Sequence, residues 1–370
     1  MKPSVIVLRG PMVNPWELRP WEDLGERFRV AVLVPDANLY PTDALALEQL
    51  PVRTRRGRLP KGRLGDLATR AVGDRYQDLE ERLRGADIVH GAELGFWFTW
   101  QAAQLKPKLG FKLAVTAWET LPFGDAYRNV RTRRFRRDVL AAADLFLATT
   151  ERARSALLLE GASDDRIVVA PPGVDVERFA AAREPQPPAD GSHLIVSIGR
   201  LVWEKGHQDA IRALALLRRD DVRLAIVGVG PEEERLRATA QDLGVAGKVE
   251  FRGGVPYDAL PGILQQASCL VLASLPTWSW EEQFGMVLAE AMAAHVPVLA
   301  ADSGAIPEVV GGSGTLFASG DYVGLADALA AGPLAVPPGL RVAPEPDRVE
   351  RFSRAGAAER LAAAYDRLLA

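Results

Sequence analysis

Two glutamates separated by seven residues frame the stretch of this chain in which residue types and spacing could do chemistry. Glu282 and Glu290 belong to SLPTWSWEEQFGMVLAE, residues 274–290, where a loop of proline and tryptophan leads into a helical pattern after Gly285. A helix N-terminus that follows a buried strand presents unpaired N–H groups, and its dipole favours phosphate. Carboxylates repel phosphate but accept hydrogen bonds from paired hydroxyls, so we expect the two acids to contact a sugar or a ribose.

Two cations follow the first predicted strand of the second half of the chain. Arg200 and Lys205 lie in SIGRLVWEKGHQDAI, residues 197–211. If this loop faces the helix start at Gly285, the two charges neutralise a diphosphate bound there. The spacing alone leaves open that both are solvated loop charges. His207, at the start of the following helix, is interpreted as structural.

Three further turns after predicted strands contain glycine. AIVGVGPEEERL, residues 225–236, begins like a dinucleotide-binding fingerprint, but Glu233 stands at the position of the third glycine, so a nicotinamide dehydrogenase is a minor alternative. FRGGV ends at Val255, whose backbone either contacts a base edge or only makes the turn. ADSGAIPEVV offers Ser303 and Gly304 at the end of its strand.

The sequence does not require a metal or another cofactor. It has no Asp-x-Asp pair, and its four histidines are too scattered to form a ligand cluster. A departing diphosphate would then be stabilised by Arg200, Lys205 and the helix N-terminus. The single cysteine, Cys269, lies in the apolar run CLVLA and is interpreted as a buried small hydrophobe rather than a nucleophile.

Composition and charge bound the class of protein. The 370 residues are 48% hydrophobic and 25% charged, as expected for two globular domains. No stretch is long and apolar enough to span a membrane, and MKPSVIVLRG predicts a strand rather than a signal peptide, so we expect a cytoplasmic protein.

The net charge of −3 is unevenly distributed. Residues 1–185 contain 29 Lys+Arg and 25 Asp+Glu, and the remaining residues contain 16 and 23. The basic excess lies at 53–63 and 128–137, without the interleaved aromatic residues of a nucleic-acid surface. Solvated loop and helix faces are the favoured interpretation; the alternatives are an anionic acceptor or weak peripheral contact with the inner face of the membrane.

Alternating apolar runs and helical patterns predict an α/β protein with two Rossmann-like, doubly wound parallel sheets. Predicted strands cover residues 4–10, 29–35, 86–91, 111–120, 144–150 and 166–175 in the first half, and 193–200, 222–230, 248–255, 269–273, 296–302 and 314–317 in the second. Helices are predicted at 17–27, 65–83 and 352–370.

The proline-rich stretch FAAAREPQPPADGSH predicts a division into domains. We expect an N-terminal domain at 1–180, a hinge linker at 181–192, a second Rossmann-like domain at 193–345, and a C-terminal segment at 346–370 that crosses back to the first domain. Ligands of such sheets bind beyond the strand C-termini, so the active site is expected in a cleft between the two sheets.

Several motifs in this order resemble one enzyme family. They are GRLVWEKG, VGVGPEEERL, FRGGV, EEQFGMVLAEAMA, SGAIPEVVGGSGTLF and, before the linker, VVAPPGVDVERF. Together they resemble the family-four retaining glycosyltransferases (glycosyl transferases group 1), which have the two-domain GT-B fold, and the spacing of Glu282 and Glu290 is that family's mark. The resemblance covers about 149–323, although Pro172 replaces the usual asparagine.

The resemblance implies roles for the charged residues. Arg200 and Lys205 would hold the donor diphosphate, Glu282 would contact the donor hexose, and Glu290 would bind the ribose diol. It further implies metal-independent transfer of a hexose, with retained anomeric configuration, from a nucleotide-diphosphate sugar to an acceptor hydroxyl in polysaccharide, glycolipid or glycoside biosynthesis. We expect UDP or GDP as the nucleotide; for the acceptor, anionic and lipid-linked compounds both stay open.

The resemblance also implies backbone contacts with the donor. The N–H groups of Phe284 and Gly285 would lie near sugar hydroxyls, and those of Met286 and Val287 near the distal phosphate. Val255 would lie against the nucleobase. The alternatives to a transferase are a sugar-nucleotide epimerase or hydrolase of the same fold and a non-catalytic sugar-nucleotide-binding protein.

The first half departs from the family pattern at two places. Many relatives have a glycine pair after the first strand, where this chain has only Gly10, assigned to the donor side. Trp118 occupies the place of a frequent histidine and is followed by Glu119. We hypothesise that Glu119 takes over a polar catalytic role, with a helix cap or ion pair as the alternative. His90 is a second acceptor-side candidate, although a packed strand histidine is the favoured interpretation.

Overall fold

The computed structural model describes residues 1–55, 75–124 and 130–370, which form two compact units. Unit 1 comprises residues 1–173 and 354–370, and unit 2 comprises residues 174–353. Much of the predicted helix at 65–83 and of the basic stretch at 53–63 lies outside the described residues, as does the beginning of the basic stretch at 128–137.

Unit 1 contains a seven-stranded parallel sheet of order β3-β2-β1-β4-β5-β6-β7. Its strands are β1 Ser4–Leu8, β2 Arg29–Pro35, β3 Glu48–Val52, β4 Ile88–Ala92, β5 Lys112–Ala117, β6 Leu145–Ala148 and β7 Ile167–Val169. The sequence did not predict β3. This edge strand is mostly exposed and contains Pro51, so it lacks the continuous apolar run of a buried strand.

Helices cover both faces of this sheet. The described helices of unit 1 are α1 Pro15–Glu22, α2 Leu79–Leu83, α3 Trp97–Leu109, α4 Val130–Ala142, α5 Glu151–Leu159 and, from the end of the chain, α13 Arg354–Leu369. Alternate side chains of β1 point to opposite faces. Leu8 packs in the cluster formed with α2 to α5, whereas Val7 packs in the cluster formed with α1 and α13.

Unit 2 contains a six-stranded parallel sheet of order β10-β9-β8-β11-β12-β13. The strands are β8 His193–Ile198, β9 Val222–Val227, β10 Val249–Gly253, β11 Cys269–Leu272, β12 Val298–Asp302 and β13 Thr315–Ala318. The helices are α6 His207–Leu217, α7 Glu233–Asp242, α8 Leu260–Gln266, α9 Met286–Ala293, α10 Ile306–Val310, α11 Tyr322–Ala331 and α12 Pro346–Arg351. The buried α9 packs on β11 and β12.

The units divide at 173–174 and 353–354 rather than within the predicted linker at 181–192. The linker packs within unit 2, where the Gln265 amide donates to the carbonyls of Ala181 and Glu184, and Arg341 donates to that of Ala182. The predicted returning segment at 346–370 also divides, since α12 belongs to unit 2 and α13 to unit 1.

Candidate active site

A buried histidine holds the loop after β8 in place. His207 shares hydrogen bonds through Nδ1 with the Ser197 hydroxyl at 2.8 Å and through Nε2 with the Arg200 carbonyl at 3.2 Å. Burial lowers the pKa of His207 to about 4, so the ring is neutral at physiological pH. The geometry gives His207 the structural task of supporting the main chain that presents Arg200.

Lys205 and Glu282 form an ion pair in unit 2. The Lys205 ammonium lies 3.0 Å from Oε1 and 2.7 Å from Oε2 of Glu282, and the Ser274 hydroxyl donates to Oε2 at 2.7 Å. The two side chains are only 16% and 7% exposed. The loops after β8 and β11, which are far apart in sequence, therefore meet at a buried charged cluster.

Glycines allow this close approach of the loops. A Cβ atom at Gly206 would lie 1.7 Å from the Ala273 carbonyl oxygen, and one at Gly304 would lie 2.1 Å from the Glu282 carbonyl oxygen. Both glycines also have positive φ angles, of +69° and +56°. A side chain at Gly206 would push apart the loops after β8 and β11, and one at Gly304 would displace the Glu282 backbone from the loop after β12.

Aromatic side chains surround the ion pair. The Lys205 ammonium lies 5.1 Å from the ring centroid of Trp280, within cation–π range. A short turn, in which the Thr277 N–H donates to the Trp280 carbonyl at 2.7 Å, presents Trp278 with 82% of its surface exposed. The loop predicted from its prolines and tryptophans therefore places one ring against the lysine and another in solvent.

Helix α9 begins beside Glu282 without a side-chain cap. Gly285 precedes the helix with φ +81°, and within the part of the chain that the structure describes the helix has no side-chain cap for its first N–H groups, those of Met286 and Val287. Phe284 is 2% exposed and packs edge-on against Phe352, with ring centroids 5.2 Å apart. The helix therefore starts where the sequence predicted it, and phosphate binding at its first N–H groups stays a prediction.

Glu290, one helical turn further along, has a partner that the sequence did not reveal. The Tyr257 hydroxyl donates to Glu290 Oε1 at 2.8 Å. Burial raises the pKa of Glu290 to about 7, and the hydrogen bond from Tyr257 opposes that rise. Tyr257 follows the FRGGV turn, and an aromatic residue there carries no pattern that would have identified it.

The remaining predicted residues of unit 2 also lie at strand C-termini. Arg200 is exposed, and its guanidinium makes no hydrogen bond or ion pair with any described residue. Val255 is half-buried after β10. Ser303, after β12, is 3% exposed, and its hydroxyl has no hydrogen-bond partner among the described residues. The Ser303 hydroxyl is therefore enclosed in protein.

In unit 1, Glu119 and Trp118 follow β5 as predicted. Glu119 Oε1 accepts hydrogen bonds from the Thr120 and Leu121 N–H groups, each at 3.0 Å, so its carboxylate braces its own loop. The Trp118 N–H donates at 2.7 Å to Glu93, a residue that the sequence analysis missed. The loop that departs from the family pattern is thus held from the end of β4.

Glu93 is unusual in its backbone and in its ionisation. Its φ of +58° lies in the left-handed region, which non-glycine residues rarely adopt. Burial raises the pKa of Glu93 to about 7, with a smaller contribution from the nearby Glu119 carboxylate. Neither property follows a sequence motif, so Glu93 is recognisable only in the folded chain.

His90 does not lie at the edge of the sheet. It occupies the middle of β4 with no exposed surface; Nδ1 lies 2.6 Å from the Tyr365 hydroxyl and Nε2 lies 2.7 Å from the Thr116 hydroxyl. Because core side chains occupy both nitrogens, the structure agrees with the favoured interpretation of His90 as a packed strand histidine and not with the acceptor-side alternative. Gly10 is also enclosed, since a Cβ atom there would lie 2.4 Å from the Phe98 ring.

Among residues 1–55, 75–124 and 130–370, no group of three or more His, Cys, Asp or Glu side chains is arranged to hold a metal ion. In the same part of the chain, no helix has the length and apolar character that crossing a membrane requires.

Both halves of the chain match family models. Residues 179–331 match the model described as "Glycosyl transferases group 1", and residues 22–178 match "Glycosyltransferase Family 4".

Curated relatives include proteins named D-inositol 3-phosphate glycosyltransferase. The relative from Corynebacterium jeikeium is 31% identical over 314 residues, 76% of this chain and 72% of that protein. The relative from Nocardia farcinica is 36% identical over 237 residues, 59% of this chain and 51% of that protein. A Mycolicibacterium smegmatis protein named GDP-mannose-dependent alpha-(1-6)-phosphatidylinositol monomannoside mannosyltransferase is 40% identical over 40% of this chain and 41% of its own length. The chain thus spans about half the length of several relatives.

Solved structures agree on the fold. HepE from Anabaena, crystallised in complex with UDP, aligns with a TM-score of 0.77 over 99% of this chain and all of that one, at 18% identity. The lipopolysaccharide glycosyltransferase WaaG aligns with a TM-score of 0.62 at 19% identity, over 97% of this chain and 95% of that one. The two Rossmann-like units are those of the GT-B fold. With both family models and the Corynebacterium match in agreement, the chain belongs to the Family 4 glycosyltransferases of glycosyl transferases group 1.

Proposed function

We propose that the protein transfers a hexose from a nucleotide-diphosphate sugar to an acceptor hydroxyl, with retention of anomeric configuration and without a metal ion. The observation that carries the proposal is the buried Lys205–Glu282 pair beside the uncapped N-terminus of α9. A sugar diphosphate combines anionic phosphates with neutral hydroxyls. A site for it therefore needs a cation and free N–H groups for the phosphates and a carboxylate for the hydroxyls, all close together.

The donor diphosphate is proposed to bind Arg200, Lys205 and the N–H groups of Met286 and Val287. An ammonium has three N–H donors, and two of those of Lys205 are directed at Glu282. The third remains for a phosphate oxygen, so the ion pair need not break when the donor binds. Glu282 then contacts a hexose hydroxyl from beside the phosphate.

The proposed chemistry is a front-face substitution at the anomeric carbon. The bond from that carbon to the diphosphate oxygen breaks, the bond to the acceptor oxygen forms on the same face, and the acceptor proton passes to the departing diphosphate. Arg200, Lys205 and the α9 dipole stabilise the negative charge that grows on the leaving group. The residues act by charge stabilisation and orientation, and in this proposal the departing diphosphate itself serves as the base.

The acceptor is proposed to contact unit 1 at Trp118 and Glu119, after β5. Two relatives are named for D-inositol 3-phosphate and phosphatidylinositol monomannoside, which supports testing phosphate-bearing polyols and their lipid-linked forms first. The basic stretches at 53–63 and 128–137 support weak peripheral contact of this cytoplasmic enzyme with an anionic membrane. Flotation with phosphatidylserine vesicles tests that contact: binding at low salt that is lost at high salt supports it, and absence of binding contradicts it.

A thermal-shift panel of UDP, GDP, ADP and dTDP tests the proposed nucleotide site. A ligand that binds only the native state at one hundred times its Kd adds about 2.7 kcal/mol to the free energy of unfolding. We expect UDP or GDP to raise Tm equally in EDTA and in magnesium buffer. If none of the four nucleotides raises Tm, the proposed donor site is wrong; if the rise requires magnesium, metal independence is wrong.

The stereochemistry needs a separate experiment once an acceptor is found. Proton NMR of the first product formed should show the anomeric configuration of the donor. The inverted configuration would contradict the front-face mechanism and leave the nucleotide-sugar assignment intact.

A further inference from the structure

Tyr257 lies between the two parts of unit 2 that are proposed to bind the nucleoside. It opens the 3₁₀ turn Tyr257–Ala259, two residues after Val255, the proposed nucleobase contact. Its hydroxyl reaches α9, where Glu290 is the proposed ribose contact. One side chain therefore connects the turn after β10 to the helix.

The ring of Tyr257 is held by the segment that opens unit 2. Phe179, which is fully buried, packs edge-on against it with ring centroids 6.2 Å apart. The Arg178 guanidinium lies 5.6 Å from the ring centroid and pairs with Asp258 and Asp175. These contacts act on the ring and not on the hydroxyl, so they fix the direction in which the hydroxyl points.

The Glu290 carboxylate depends on that hydroxyl. Glu290 is 6% exposed, and Tyr257 is the one residue among those described that donates a hydrogen bond to it, at 2.8 Å. A carboxylate has about four lone-pair positions, so most of its accepting capacity is left for a ligand. A buried carboxylate with one fixed hydrogen bond and open acceptor positions suits two neighbouring hydroxyls.

We infer that Tyr257 is a positioning residue for the donor, whose hydroxyl orients Glu290 toward the ribose diol and couples ribose recognition to the nucleobase turn. The inference rests on the proposed function, because it assumes that a nucleotide binds at this site. It goes further by predicting which part of the nucleotide Tyr257 affects. The effect is confined to the two ribose hydroxyls, whereas a purely structural role for Tyr257 would affect every nucleotide.

Isothermal titration calorimetry with two ligands tests this. The ligands are UDP, or GDP if the thermal-shift panel selects it, and the matching 2′,3′-dideoxy diphosphate, which lacks both ribose hydroxyls. Tyr257→Phe removes the hydroxyl and keeps the ring packed on Phe179, so the variant is expected to fold. Tyr40→Phe, at an exposed tyrosine of unit 1, is the matched control.

We expect Tyr257→Phe to weaken binding of the ribonucleotide about tenfold, or about 1.4 kcal/mol, and to leave dideoxynucleotide affinity unchanged. In Glu290→Ala, which has lost the carboxylate, adding Tyr257→Phe should produce no further loss. Tyr40→Phe should bind both ligands as the wild type does.

Two results would overturn the inference, and they are distinguishable. Equal weakening of both ligands in Tyr257→Phe, or no weakening of either, shows that Tyr257 does not act through the ribose while the nucleotide site itself stands. Failure of the wild type to bind either nucleotide contradicts the proposed function and removes the inference with it.

Discussion

Replacing Lys205 by methionine removes the ammonium that pairs with Glu282 and keeps most of the apolar stem. The Glu282 carboxylate, 7% exposed, then keeps one hydrogen bond among the described residues, from Ser274 at 2.7 Å. Removing one partner of a buried ion pair destabilises a protein by about 3–5 kcal/mol, because the remaining charge is desolvated without compensation. The Ser274 hydrogen bond and the 16% exposure of Lys205 reduce this destabilisation, so we expect a loss of about 3 kcal/mol in the free energy of unfolding.

Urea unfolding of the single and double variants measures the effect. Lys205→Met should lower the free energy of unfolding by about 3 kcal/mol, and adding Glu282→Gln should restore much of it, since no uncompensated charge is then buried. Lys108→Met is the matched control, because Lys108 pairs with Glu80 at 2.7 Å while its side chain is 64% exposed. Breaking that exposed pair should leave stability nearly unchanged.

The result that would refute this reasoning is equal behaviour of the two lysines. If Lys205→Met destabilises the protein no more than Lys108→Met, the Lys205–Glu282 pair is solvated. The interpretation of Arg200 and Lys205 as ordinary loop charges would then be favoured, and the cluster would lose its role in the proposed site.

Three further predictions concern other groups. Burial raises the pKa of Glu290 from 4.5 to about 7, so the folded state binds the carboxyl proton more tightly than the unfolded state does. The free energy of unfolding, measured relative to Glu290→Gln, should therefore fall by about 3 kcal/mol between pH values below 4.5 and pH values above 7. A pH-independent difference between the two proteins would contradict this. Arg341→Met should destabilise unit 2 by more than about 3 kcal/mol in chemical denaturation, because its guanidinium donates hydrogen bonds to four carbonyls, those of Leu264, Gln265, Ala267 and Ala182. A loss below about 1 kcal/mol would show that water takes over these hydrogen bonds in the variant. Glu119→Gln should reduce turnover far more than donor binding, and unchanged turnover would remove Glu119 from the mechanism.

Most of the two sheets was predictable because parallel strands buried on both faces read as continuous apolar runs. Nine predicted strands follow from such runs: β1, β2, β4, β5 and β6 in unit 1, and β8, β9, β11 and β12 in unit 2. The edge strand β3 did not follow, because its exposed residues and Pro51 remove that signal. The boundary between the units does not coincide with the linker predicted at 181–192. The start of this proline-rich segment is hydrogen-bonded to α8 and to Arg341 within unit 2 and does not act as a free linker.

The sequence placed the charged residues of unit 2 on the correct loops but not in contact. Lys205 and Glu282 are 77 positions apart in the sequence. Their ion pair depends on the close approach of the main chain at Gly206 to Ala273 and at Gly304 to Glu282. Tyr257 has no motif, and only folding brings its hydroxyl to Glu290.

The surroundings of His90 also could not be predicted in full from the sequence. The apolar run around this histidine favours a packed strand residue and leaves an acceptor-side residue at the sheet edge open as the alternative. Its position in the core depends on the register of β4 and on Tyr365, which lies 275 positions later in α13. Local sequence contains neither piece of information.

The central claim, that unit 2 holds the diphosphate with cations and the hexose with Glu282, is tested most directly by calorimetric titration of a nucleoside diphosphate and its hexose derivative. We predict that Arg200→Met weakens both ligands by at least about tenfold, whereas Glu282→Gln weakens only the sugar nucleotide. Unchanged affinity for both ligands in both variants would contradict the claim.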